Sequence, residues 1–131
     1  MIDVKQLVEE YSKSMRIRQE GDVIFLTPPF FHIESDESIA LKFSKTEDGL
    51  PVISDCGTTV DYLELRDIDI ERYRGKLDKI KKRFFLEKEN GAFTTTLPTD
   101  SMNYVKRAVG YFIQAICVIA NIDLYARFHR Y

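Results

Sequence analysis

Asp36 and Asp55 are the carboxylates of this chain best placed to do chemistry. Asp55 opens the run Asp55, Cys56, Gly57, Thr58, Thr59, which follows the apolar stretch Pro51 to Ser54 and precedes a change to helical periodicity. A carboxylate at a strand end, beside the unpaired amides of a helix start, can bind a cation or a polar ligand. Asp36 falls in the turn Ser35, Asp36, Glu37, just after His32 and Glu34. If the strands that carry them are neighbours, the two carboxylates and His32 could hold Mg²⁺ or act as an acid–base pair on a phosphate ester. Each residue also has a structural reading. Thr58 with Asp61 resembles a capping box, Gly57 allows positive φ, and an aspartate in a Ser-Asp-Glu turn is ordinary turn chemistry. A cap accounts for Gly57, Thr58 and Asp61, but it does not account for Asp55.

The second constellation is basic. Arg72, Lys76, Lys79 and Arg83 recur at i, i+4, i+7 and i+11, one stripe of a helix, with Lys82 beside it. Each such cation can displace a counterion from a phosphate backbone, so nucleic acid is one class of partner. The structural alternative is a solvated face opposite Tyr73, Leu77 and Ile80. Few aromatics are interleaved with the charges, which argues against stacking on single strands. The residues from Phe31 to Glu71 are strongly acidic, whereas Arg72 to Arg83 hold only Asp78 against seven bases. The two segments either pair internally or present separately charged faces.

At 131 residues, 44% hydrophobic and 31% charged, the chain has the material of one soluble domain. The net charge of −2 gives no overall attraction to nucleic acid or anionic lipid. Cys56 and Cys117 form no CxxC or His–Cys pairing, so no zinc site is expected, and both read as reduced thiols of a cytoplasmic protein. No catalytic residue, resident metal or cofactor is assigned. The start lacks a secretory signal pattern, and the apolar run Ala108 to Ile122, broken by Gly110, Gln114 and Asn121, is too short for a membrane span.

The elements that must position these residues follow from periodicity. Asp3 can cap a helix with Val4, Leu7, Val8 and Tyr11 on one face. Strands are expected at Met15 to Gln19, Val23 to Thr27, Phe30 to Glu34, around Ile39 to Phe43, and at Pro51 to Ser54. Val60, Leu63 and Tyr62 mark a short helix; Tyr73, Leu77, Ile80 and Phe84 mark a second. Asn90 and Gly91 are the strongest short hairpin signal, joining Phe84–Lys88 to Ala92–Thr96. A long last helix carries Met102, Val105, Val109, Phe112, Ile113, Ile116, Ile119 and Ala120, apolar around most of its circumference, with Gln114 read as a buried amide bonded to a nearby loop. The expectation is a single α+β domain over residues 1–131: a curved antiparallel meander sheet on a long C-terminal helix, plus a second short hairpin.

Taken together, Thr27-Pro28-Pro29-Phe30, Asp36 before Ile39, the turn Ser54, Asp55, Gly57, Thr59, then Leu63 and Gln114-Ala115, resemble the small bacterial and phage family called domain of unknown function 1828. The likeness spans roughly Asp22 to Leu124. Cys56 stands where that family often has a second acid. The resemblance implies a prokaryotic or phage origin and an intracellular setting without naming a reaction. The favoured expectation is a non-enzymatic binding module from a phage or mobile element, inhibiting or adapting a host nuclease or defence protein, with Phe30, Phe31 and Tyr62 as exposed anchors. The alternative is a small metal-dependent phosphoesterase or nucleic-acid-binding protein using Asp36 and Asp55. An uncovered edge strand at Met15 to Gln19 invites pairing with a second copy.

Overall fold

A computed structural model describes residues 3, 16–20, 23–27 and 41–124. The expected first helix, the strand Phe30 to Glu34 and the turn holding Asp36 lie outside the described residues. Strands β1 (Arg16–Glu20), β2 (Val23–Thr27), β3 (Leu41–Lys45) and β4 (Pro51–Ser54) run as an antiparallel meander. The chain then leaves the sheet through helix α1 (Thr58–Leu65), a 3-10 turn (Ile70–Tyr73) and helix α2 (Arg74–Phe84). It returns as the hairpin β5 (Glu87–Glu89) and β6 (Ala92–Thr96), and ends its described course with helix α3 (Met102–Ala120).

The hairpin is not a separate unit. Thr94, Thr95 and Thr96 of β6 pair with Ser54, Ile53 and Val52 of β4, so one six-stranded sheet forms in the order β1-β2-β3-β4-β6-β5. Its turn is the one the sequence announces, with Asn90 at φ 51° and Gly91 at φ 79°, the double left-handed step that matches strand twist. Pro51 is tolerated as the first residue of its strand, where its carbonyl still accepts from the Leu97 amide at 2.9 Å.

Helices α1, α2 and α3 share one apolar core with the sheet. Leu41, Ile53 and Phe93 of the strands are fully buried, as are Ala115, Ile116 and Ile119 of α3. Leu77 and Ile80 of α2 are buried on the stripe the sequence shows, with Tyr73 and Phe84 partly buried beside them. The last helix is more amphipathic than its composition suggests. Met102 is exposed, and Asn103, Arg107, Gly110, Gln114 and Cys117 form an exposed stripe at i+3 and i+4 spacing. Gln114 is therefore a surface amide, and its hydration removes any need for a loop partner.

One long-range polar contact ties α1 to the end of α3. Arg66 Nη1 donates to the Ala120 carbonyl at 3.1 Å, and Nη2 meets Asp123 Oδ2 at 3.2 Å. The guanidinium also lies 5.6 Å from the Tyr62 ring centroid. The pair is largely shielded, at 15% and 26% exposure, so it is not a solvated surface contact. Arg66→Ala is expected to cost about 1–2 kcal/mol, with Arg66→Lys recovering only part because an ammonium cannot serve carbonyl and carboxylate in one plane. Urea denaturation checks this. A midpoint no lower than that of a Lys45→Ala control would contradict it.

Candidate functional site

The turn from β4 into α1 is built around Asp55. Its main chain continues the strand pairing, the amide donating to the Phe93 carbonyl at 3.1 Å. Its side chain folds back, and Oδ1 accepts from Gly57 N at 3.0 Å and from Phe93 N at 2.9 Å. Asp55 therefore closes an Asx turn and bolts that turn to β6, across 38 residues of chain. Gly57 is the residue before α1, at φ 79°, where an added Cβ would stand 3.5 Å from the Gly91 carbonyl of the hairpin turn. Thr58 is not the capping residue. It lies one position inside the helix, and its hydroxyl donates to the Asp55 carbonyl at 2.8 Å while no side chain caps the amides. Thr59, in the same turn, is fully buried.

Solvent does not reach Asp55. A carboxylate with one oxygen shared between two amides and no exposed surface acts as a structural acceptor. Among the described residues, Asp55 Oδ2 and Thr59 Oγ1 are buried without a hydrogen-bond partner, a local cost that the surrounding packing has to offset. Also among the described residues, no three His, Cys, Asp or Glu side chains are grouped to hold a metal ion. Asp36, the proposed companion carboxylate, lies outside the described residues.

Cys56 occupies the exposed tip of this turn at φ 58°. Burial of its sulfur pushes the thiol up, the Lys42 ammonium pulls it partly back, and the Asp55 carboxylate adds to the rise. Burial alone raises Cys117. The thiolate is the nucleophile, so a raised thiol is a poorer one at any given neutral pH. Iodoacetamide is expected to label both cysteines more slowly than a free thiol at pH 7, with the rate levelling off at a higher pH than for the free thiol. Levelling at a lower pH would contradict this.

The basic residues of the 3-10 turn and α2 lie in three places. Arg72, Lys76 and Lys79 surround a shallow recess of about 400 Å³ with Tyr73 and Gly75. Lys82 is exposed elsewhere on the helix. Arg83 is exposed at the other end, its guanidinium 5.7 Å from the Phe84 ring centroid. The stripe thus connects a basic recess to an aromatic edge.

Beyond that edge lies the feature the sequence reading missed. A cleft of about 590 Å³ opens between the C-terminal end of α2, the end of β6 and the first half of α3. Phe84, Phe85, Leu97, Tyr104, Arg107 and Tyr111 are among its walls, with buried Phe112 contributing the floor. The Phe84 and Tyr111 rings stand 4.8 Å apart at 51°. The cleft's size lies within the range of small-ligand pockets, and one cation, Arg107, stands among the rings that line it.

Phe85 has an unusual position. Helix α2 ends in a Schellman motif, Leu86 N donating back to the Lys81 carbonyl at 2.8 Å, which forces Phe85 to φ 57° and ψ 42°. Glycine is the residue suited to that left-handed step. The Thr95 hydroxyl, donating to the Phe85 carbonyl at 3.0 Å, pins the main chain there, and the ring is left 77% exposed. A sequence signal existed: in Phe84-Phe85-Leu86, the helical stripe through Tyr73, Leu77 and Ile80 has room for Phe84 but not for Phe85. Tyr62, read as an exposed anchor, is instead buried at 4% exposure, because α1 presents it to the interior with Leu63. Phe30 and Phe31 lie outside the described residues.

Comparisons with protein-family models, with curated protein sequences and with solved structures return no match. No helix among the described residues is long and apolar enough to cross a membrane.

Proposed function

We propose that this chain is a non-enzymatic binding protein that grips a partner protein through the cleft between α2, α3 and β6. The observation that carries this reading is Phe85, a large apolar ring held in solvent at a backbone position where glycine costs less. Strained, non-glycine left-handed residues concentrate where function demands them. Tyr104 and Tyr111, each 45% exposed, extend the same aromatic surface, the residue type that dominates binding hot spots. A bacterial or phage setting, with inhibition or adaptation of a host nuclease or defence protein, draws its support from the motifs around Ser54 to Thr59. The two free thiols support a reducing, cytoplasmic location. Self-pairing draws on the position of β1 at the end of the strand order among the described residues.

A photo-crosslinking side chain installed at Tyr104, compared with one at exposed Glu47, tests the reading in lysate of the native cell. A protein adduct specific to position 104 is expected. Equal adducts at both positions, or none at 104, would overturn it.

Nucleic acid is the second reading, favoured by the recess at Arg72, Lys76 and Lys79. Its mark would be affinity falling steeply with salt. The phosphoesterase alternative draws no support from the surroundings of Asp55.

A further inference from the structure

We infer that the cleft selects an acidic segment of its partner: an apolar or aromatic anchor seated among Phe84, Phe85 and Tyr111, with carboxylates running along α2. This rests on the cleft being the binding surface and adds the chemistry of what enters it.

The two helices that wall the cleft carry bases almost alone. Helix α2 holds Arg74, Lys76, Lys79, Lys81, Lys82 and Arg83 against Asp78, and the first half of α3 adds Lys106 and Arg107 without an acid. Arg107 lines the cleft itself, and Arg83 lies against the Phe84 ring at its edge. From Arg83 the stripe continues through Lys79 and Lys76 to the basic recess. Seven residues of helix separate Lys76 from Arg83, a rise of about 10 Å. An extended peptide covers that distance in about three residues at roughly 3.3 Å each. In a segment anchored in the cleft and directed along α2, the acids within about three residues past Arg83 lie over Lys79 and Lys76. Lys76 and Lys79 also make contacts within the fold, so selectivity comes from the net field of the helix rather than from free ammonium groups.

The complementary field does two things. It raises the encounter rate with an acidic segment and penalises a basic one, while the apolar anchor supplies the slow dissociation. A nucleic-acid duplex, its bases stacked away from the surface, would satisfy the stripe but leave the aromatic cleft unused. This favours an acidic peptide over duplex DNA or RNA.

The test uses four fluorescein-labelled peptides on the full chain, read by anisotropy. One carries a Phe-Leu anchor followed by three glutamates. In the second the glutamates are glutamines, in the third lysines, and in the fourth the anchor is replaced by two serines. The acidic anchored peptide is expected to bind about tenfold tighter than the glutamine version at low salt, with the gap closing as salt rises. Lys79→Glu combined with Arg83→Glu, two exposed positions, should move the preference toward the lysine peptide. Equal binding of the glutamate and glutamine peptides would overturn the charge rule and leave the cleft reading standing. Equal binding of the anchorless acidic peptide would overturn both, and point to polyanion binding if a DNA duplex displaced it. A concentration-dependent dimer in sedimentation that is abolished by Phe85→Gly, with no peptide bound, would assign the cleft to a second copy and overturn the proposal.

Discussion

Phe85→Gly is expected to leave the fold as stable as before, or up to about 1 kcal/mol more stable, while weakening partner binding by about thirtyfold. Most substitutions of a large hydrophobic residue remove packing, but the Phe85 ring is 77% exposed and has little to lose. What the substitution removes instead is the strain of an L-residue at φ 57°. Glycine relieves that strain but gives the unfolded chain more conformational freedom to lose on folding, so the net change lies near zero or above it. The binding loss is that of a central aromatic anchor, about 2 kcal/mol, equivalent to the thirtyfold change. The informative feature is the opposite sign of the two effects. Urea denaturation gives the first and titration with the crosslinked partner gives the second. A variant that loses stability and binding together would mean that Phe85 serves the fold.

Asp55→Ala is expected to have the larger effect on stability, a loss of about 3 kcal/mol or more. Two donors, the amides of Gly57 and Phe93, share Oδ1, and the Phe93 amide is sealed from water. Truncation leaves the Phe93 amide without an acceptor in the interior, a loss of about 1–3 kcal/mol, and also removes the half-buried bond to Gly57 and the packing of the side chain. Asp55→Asn keeps an oxygen in the same place and should lose less than half as much. This ordering separates a structural carboxylate from a ligand-binding one. In a cation site, Asn would fail nearly as badly as Ala in binding, while stability would respond only weakly to either. Denaturation midpoints of the three proteins distinguish the cases.

Local signals carried much of the architecture. Asn90-Gly91 specifies its own hairpin, the stripe Tyr73, Leu77, Ile80, Phe84 specifies which side of α2 faces inward, and the alternation through Leu41 and Phe43 specifies a strand. In each case the information lies within a few residues of the structure it determines. The insertion of β6 beside β4 was not legible, because the pairing of Val52 with Thr96 depends on how α1, the 3-10 turn and α2 return the chain to the sheet. The same limit applies at the turn. The sequence left Asp55 unexplained: its side chain accepts from Gly57 within the turn, and its second bond, to Phe93, is a tertiary fact.

The cleft was harder still to read. Apolar periodicity says which face of an element avoids water, and it does not say that two such faces stop short of meeting. Tyr62 and Phe85 show the consequence. Both are aromatics near charged residues, yet one is packed inside and the other stands in solvent, and only the left-handed end of α2 separates the cases. Gln114 erred in the other direction, since its apolar neighbours in sequence point elsewhere around the helix.

Amide hydrogen exchange of the chain, free and bound to its crosslinked partner, tests the central claim most directly. New protection is expected at Phe84 to Leu86 and from Thr95 to Ala108, with the turn at Ser54 to Thr59 unchanged. Protection gained at that turn, or on the outer strands, while Phe84 to Leu86 exchange as in the free protein would contradict a partner seated in the aromatic cleft.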